Sequence, residues 1–343
     1  MHAEPLAGWL SSFSDLEGTH TAEEFAARVY KDSTAVLTTK KWALRKMSAL
    51  LGRVAGTELM GVLKLPDGQP APWKEVLRTT FEDISDVLDQ QPEGTRMVFF
   101  WDEVPFMLDN IANKQGKDHA AQVLDLLREL SQRHDRIRLL LTGSIGIHHV
   151  LGSLWSGGYK GSPLNHMDLI QPGPLAPEDA KEFATSVIVR RRLRCADKGA
   201  CAETLSTLAS HVPFYIEKLT ACLPLDTDLT PTHIQQALDH VLTSVHNDWD
   251  LDYYFRRVEV VFPKTKKLVL VILDTIAGSA AAALSFQEIR QQVSAHMIVD
   301  DDEVLREHLK LLGMDHYLVR GANGYRFYLP LIHRWWKISR ELK

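Results

Sequence analysis

Along this chain, hydrophobic residues fall into short unbroken runs separated by stretches with helical spacing. The clearest run, Met97-Val98-Phe99-Phe100-Trp101, stops abruptly at Asp102-Glu103. Apolar residues without alternation, bounded by polar sequence, predict a strand buried on both faces, as in a parallel sheet. A second run, Leu139-Leu140-Leu141, follows Arg138 and gives way to Thr142-Gly143-Ser144. A shorter strand is predicted over Trp9–Asp15, leaving Asp15 and Glu17 at its end. Helical segments are predicted between these strands. Thr21-Ala22-Glu23-Glu24 has the hydroxyl and early acids of a helix start, continuing to about Tyr30. Further helices are predicted near Lys41–Val54, over Trp73–Leu88 and from about His119 to Arg133. Glu58–Leu65 reads as an edge strand closed by a Pro66-Asp67-Gly68 turn. Strand and helix alternate as β-α-β units, which implies a mostly parallel sheet with right-handed crossovers.

After Ser144 the texture changes. Gly146–Gly173 is rich in Gly, Ser and Pro and reads as a long, partly ordered connection. Pro177-Glu178-Asp179-Ala180 opens a helix, and the pattern stays helical to about Tyr254. Helices are then predicted over Lys266–Ile276, Phe286–Val293 and Asp302–Leu312. Tyr317–Arg320 and Tyr325–Leu329 flank Gly321-Ala322-Asn323-Gly324, the signature of a β-hairpin, and Trp335-Trp336 lie in a last helix. Three helices followed by a hairpin describe a winged helix-turn-helix. The expected domains are an α/β core over 1–172, a helical lid over 173–255 and the winged module over 256–343.

Composition narrows the class. The 343 residues are 45% hydrophobic and 24% charged with net charge −5, which disfavours bulk binding to nucleic acid or anionic membrane. No stretch approaches the ~20 apolar residues that span a bilayer, and the first residues lack a signal-peptide pattern. Cys195, Cys201 and Cys222 have no metal-ligand spacing and read as reduced thiols, with a Cys195–Cys201 bridge as the alternative. A cytoplasmic protein without membrane contact is expected.

The candidate chemistry sits at the strand ends, because ligands of open α/β sheets bind outside the carboxyl ends of strands. There Asp102 is placed to hold Mg²⁺ through water and Glu103 to position a hydrolytic water. Thr142 and Ser144 are the candidates for sensing a terminal phosphate, with simple strand-end capping as the alternative. Arg190-Arg191-Arg192-Leu193-Arg194 reads as a solvated helix end, with an arginine finger or a nucleic-acid patch as the alternative, and His148-His149 lacks zinc-site spacing. Between Asp300 and Lys310, the winged module's candidate recognition helix carries a net −3, which opposes docking into a DNA groove. Over 256–343 the balance is +4, with Arg320 and Arg326 in the hairpin, so contact through the wing stays open. Docking to protein, or an intramolecular latch, is the favoured reading.

In this order, Asp15-Leu16-Glu17-Gly18, Asp102-Glu103-Val104-Pro105, Thr142-Gly143-Ser144 and Pro174–Ala180 resemble the STAND-type AAA+ ATPases, specifically the archaeal-type branch. His211-Val212-Pro213-Phe214-Tyr215-Ile216 is similar to that branch's lid motif, which implies that Pro213 lies near an adenine. The resemblance implies a P-loop NTPase-like sheet, a helical lid, a C-terminal winged helix, and ATP with Mg²⁺ as cofactors of a regulatory or signalling switch. One element of the pattern is missing: no GxxxxGK[ST] loop occurs, and Gly157-Gly158-Tyr159-Lys160-Gly161-Ser162 has the wrong spacing and position. That loop supplies most of the phosphate affinity in such proteins. Weak or absent nucleotide binding and deficient hydrolysis are therefore expected of the polypeptide as it stands. A truncated reading frame and a degenerate scaffold both explain the gap. The first is favoured because the opening residues read as the middle of a strand-to-helix unit. A non-catalytic scaffold, or a transcription-linked DNA- or protein-binding module, is the alternative function.

Overall fold

A computed structural model describes residues 8–38, 72–244, 249–299 and 301–342. The chain divides into two compact units, Met1–Leu169 and Ile170–Lys343. The helix predicted near Lys41–Val54 and the strand and turn predicted over 58–68 lie outside the described residues.

The first unit is built on three strands, β1 (Trp9–Asp15), β2 (Arg96–Asp102) and β3 (Ile137–Leu141). They pair in the order β1-β2-β3, all parallel, with Asp15 opposite Asp102. The helices are α1 (Ala22–Thr38), α2 (Trp73–Leu88), α3 (Val104–Gln115), α4 (Lys117–Arg133) and α5 (Ile147–Ser156). Alternate residues of each strand point into one core: Leu10, Met97, Phe99, Trp101 and Ile137 pack with Phe25, Leu77, Phe81 and Leu124. Phe25 meets Trp101 edge-on at 5.2 Å, and Phe81 stacks on Phe99 at 5.8 Å. Such aromatic pairs add about 0.5–1.5 kcal/mol each beyond their buried area.

Sequence and structure differ at several element ends. α1 runs two turns past Tyr30, because Tyr30 and Leu37 remain on the buried side. The second apolar run stops pairing at Leu141, so Thr142-Gly143-Ser144 is a loop hung on the strand end. The stretch read as a connection holds α5, whose Val150, Leu151 and Leu154 complete the first core. α3 was not expected from the sequence.

The second unit is mainly helical: α6 (Pro177–Arg190), α7 (Lys198–Leu208), α8 (Pro213–Ala221), α9 (Pro231–Thr243) and α10 (Asp252–Val261), then α11 (Lys266–Gly278), α12 (Phe286–His296) and α13 (Asp302–Met314). A hairpin of β4 (Leu318–Gly321) and β5 (Gly324–Phe327) follows, then α14 (Pro330–Ser339). The segments assigned to a lid and to a winged module share one continuous core, running from Ala180 and Leu205 through Ile272 to Trp336. Gly324 has φ 120°, and a Cβ there would lie 2.2 Å from the Leu284 carbonyl oxygen. Glycine is required because β5 also bridges to Leu284. The next residue, Ser285, starts α12 with a capping box: its Oγ accepts from Glu288 N at 3.3 Å while Glu288 Oε2 accepts from Ser285 N at 2.7 Å. Among the described residues, no helix is long and apolar enough to cross a membrane.

Candidate functional site

At the carboxyl end of the first unit's sheet, β2 and β3 deliver two matched pairs of polar side chains. Thr142 Oγ1 donates to Asp102 Oδ1 at 2.6 Å. Ser144 donates to Glu103 twice, through its amide to Oε2 at 3.1 Å and through Oγ to the same oxygen at 3.0 Å. The backbone closes the same junction: Thr142 N donates to the Trp101 carbonyl at 2.9 Å, and Val104 N to the Thr142 carbonyl at 3.1 Å. The parallel register of β2 and β3 is what places an acidic pair beside a hydroxyl pair.

Local conformation sharpens the arrangement. Glu103 adopts φ 57°, ψ 32°, in the left-handed region, and α3 starts immediately after it. This turn carries the chain from strand into helix while swinging the Glu103 carboxylate towards Ser144. Gly143 lets the two loops close together. A Cβ on it would lie 2.5 Å from Pro105 Cδ and 3.5 Å from Glu103 Oε2. Asp102 is half-buried and Thr142 exposed, so the rim faces solvent. On Asp102, Oδ1 accepts both from Thr142 Oγ1 and, at 3.0 Å, from Glu103 N, so Oδ2 is the oxygen that could hold a hydrated cation. Asp15 adds a third carboxylate beside Asp102, and Leu16 N donates to the Asp102 carbonyl at 3.0 Å.

The structure thus brings Asp102, Glu103, Thr142 and Ser144 to one rim. Pro213 belongs to the second unit, where it occupies the first turn of α8, half-buried. Two of the four arginines clustered at the end of α6 are ion-paired, Arg190 with Glu217 at 2.5 Å and Arg194 with Asp228 at 3.0 Å. His148 and His149 open α5 with their rings 4.2 Å apart. All three cysteines are free thiols, and burial pushes that of Cys201 up to about 12. Two supporting residues were missed because α3 was missed. Asn110 Nδ2 donates to the Glu17 carbonyl at 3.0 Å, and Gln115 Oε1 accepts from Ala22 N at 2.8 Å, tying α3 to the loop after β1. The apolar spacing Val104, Met107, Leu108, Ile111 and a proline in the first turn were the signals that could have found it.

Comparison with known proteins gives the architecture a context. A solved structure of a Walker-type ATPase from Pyrococcus abyssi superposes with a TM-score of 0.60 at 15% sequence identity, over 96% of this chain and 84% of that one. At that identity the likeness speaks for the fold: a P-loop NTPase-like α/β arrangement. No family model and no curated protein matches the chain.

Proposed function

We propose that this protein is a nucleotide-responsive switch of the STAND/AAA+ type, built on a P-loop NTPase-like core and closing in a winged helix-turn-helix. The observation that carries this reading is the double pairing Asp102–Thr142 and Glu103–Ser144 at the carboxyl ends of adjacent parallel strands, where such sheets bind ligands. In this reading Asp102 holds Mg²⁺ through water and Glu103 orients the attacking water. Thr142 and Ser144 respond to the terminal phosphate, and Pro213 contacts the adenine. Because the sequence lacks a GxxxxGK[ST] loop, the cation side of the site fits ATP-Mg²⁺ and the phosphate side lacks its cradle. Binding weaker than about 1 mM and negligible turnover follow.

Calorimetric titration with ATP tests this directly. Weak heats that require Mg²⁺ and vanish in Asp102→Asn are expected. Absence of any Mg²⁺-dependent binding would overturn the nucleotide reading, and robust turnover lost in Glu103→Gln would overturn the deficiency.

One observation favours protein as the target of the second unit. The solvent side of α13 exposes Glu303 and Glu307, joined by the exposed capping residue Asp301, against Arg306 and Lys310, and Glu303 is paired with Arg306 at 3.0 Å. A basic protein surface suits that helix better than a phosphate backbone. DNA contact through Arg320 and Arg326 is the competing outcome, recognised by affinity that falls with salt and with replacement of both arginines.

A further inference from the structure

Two of the three cysteines converge on one residue of the second unit, and neither has a part in the nucleotide reading. Leu229, fully buried just ahead of α9, pairs with Cys195 in an isolated parallel bridge. Two backbone bonds hold that bridge: Leu229 N donates to the Arg194 carbonyl at 2.9 Å, and Ala196 N to the Leu229 carbonyl at 3.0 Å. The same Leu229 carbonyl accepts from Cys201 Sγ at 3.4 Å. Paired backbones lie about 4.8 Å apart, so one residue gathers both side chains, and Cys195 is the hydrogen-bonding neighbour of the Cys201 thiol. The turn between them is fixed as well. Asp197 caps α7, its Oδ1 accepting from Ala200 N at 3.0 Å, and Cys201 N donates to the Asp197 carbonyl at 3.0 Å.

The two thiols differ in access. Cys201 is completely buried, whereas Cys195 is half-buried between exposed Arg194 and Ala196. Burial, with Cys195 beside it, pushes the Cys201 thiol up to about 12, so it rests protonated. A dissolved oxidant therefore meets Cys195 first, and Cys201 approaches the oxidised sulfur from within the protein. An accessible thiol backed by a second one is the arrangement in which oxidation stops at a disulfide. Cys222 stands apart from the pair: exposed at the end of α8, it donates to the Lys218 carbonyl at 3.4 Å.

We propose that Cys195 and Cys201 form a reversible redox site, at which a hydroperoxide oxidises Cys195 and Cys201 resolves it to an intramolecular disulfide. In the first step the Cys195 sulfur attacks a peroxide oxygen. The O–O bond breaks, the sulfur becomes a sulfenic acid, and the other oxygen leaves as alcohol or water. In the second step Cys201 Sγ attacks the Cys195 sulfur. The S–S bond forms, the S–O bond breaks, and the departing hydroxide leaves with the Cys201 proton as water. Together the thiols give up two electrons and two protons, and the peroxide is what is reduced. The fold loses only the Cys201–Leu229 hydrogen bond. The Leu229 carbonyl keeps Ala196 N as its donor, so the clasp closes with the backbone pairing intact and ties the α6–α7 connection to the first turn of α7. A dithiol reductant reopens it by exchange. No nucleotide takes part, so this site and the nucleotide reading stand or fall separately.

Trypsin cuts after Arg194, Lys198, Lys218 and Arg256, which puts each cysteine on its own peptide: 195–198, 199–218 and 219–256. The test treats the full chain with hydrogen peroxide, blocks free thiols with iodoacetamide in urea, and reads the tryptic peptides by mass spectrometry. Peptide 195–198 joined to 199–218, lighter by two hydrogens, is expected at every protein concentration, and dithiothreitol should separate the two. In Cys201→Ser, whose hydroxyl still supplies a donor for Leu229, dimedone added with the peroxide should label Cys195 about tenfold more than in the unaltered chain, because the resolving thiol is gone. Four results overturn the proposal. Cys195 is left unchanged by peroxide, or it proceeds to sulfinic acid while Cys201 is still alkylated. Either peptide is joined to 219–256 instead, or dimedone labels Cys195 equally with and without Cys201. The first three are read on the unaltered chain, so they hold whether or not the serine variant folds.

Discussion

At the scale of single residues, Glu103 concentrates the physics of the rim. Its φ of 57° places an L side chain in the left-handed region, at a cost of about 1–2 kcal/mol. The two bonds from Ser144 and the onset of α3 hold it there. Strain of this kind gathers at sites with a task. Replacing Glu103 separates conformation from chemistry. Glu103→Gly and Glu103→Ala both lose the Ser144 contacts, but only alanine keeps the steric cost. The glycine variant should therefore be more stable than the alanine variant by about 1 kcal/mol in urea unfolding. Equal stabilities would mean the left-handed turn is not held under strain. The sequence made the Asp102-Glu103 pair legible, since an apolar run stopping at two acids is a pattern in one dimension. The turn at Glu103 was not legible, because glutamate has no special liking for that region. Nor was the demand for glycine at 143, which arises from Pro105, thirty-eight positions away in sequence.

The elements show the same division between local and long-range information. α3 and α4 follow one another almost without a break, joined at Gly116, whose φ of 99° ends the first helix and begins the second. Gly116→Ala should destabilise the protein by about 1–2 kcal/mol through that conformation alone, since a Cβ there meets no atom within 4 Å. Urea unfolding measures it, and an unchanged midpoint would show that the junction adopts another conformation. Trp9–Asp15 and Trp73–Leu88 were legible from end to end, because pattern, turn residues and polar termini agree there. α5 was hidden by its setting. Gly146, Gly152, Gly157 and Gly158 around it read as loop, and only packing of Val150, Leu151 and Leu154 on the first core makes it helical. The hairpin was legible for the opposite reason, since its turn chemistry is local, although Gly321 and Gly324, read as part of the turn, pair as the last residues of the two strands around Ala322-Asn323.

For the molecule as a whole, the two hydrophobic cores share no residue, so each unit carries its own dependence on solvent conditions. The clearest case is acid. His134 is buried at the end of α4 with its ring 6.0 Å from Phe81, and its Nε2 has no hydrogen-bond partner. Desolvation, helped by the Arg133 charge and opposed by Glu82 and Asp135, holds its pKa below the ordinary 6.5. Desolvation lowers His166 in the same direction. Both belong to the first unit. A histidine whose pKa falls on folding takes up its proton more readily in the unfolded chain, so its contribution is complete above pH 6.5 and is lost as the pH drops below it. The lowered carboxylates, Glu129 in the first unit and Glu288 in the second, act only as the pH falls below 4.5. Between pH 7 and pH 5 the first unit should therefore lose stability relative to the second. Hydrogen exchange of core amides at the two pH values, corrected for intrinsic rates, should show protection falling around Phe99 and Leu124 while it holds around Ile272 and Leu309. His134→Gln, which does not titrate in this range, should flatten that loss. Equal loss in both cores, or an undiminished loss in the variant, would place the acid sensitivity elsewhere than in this buried ring.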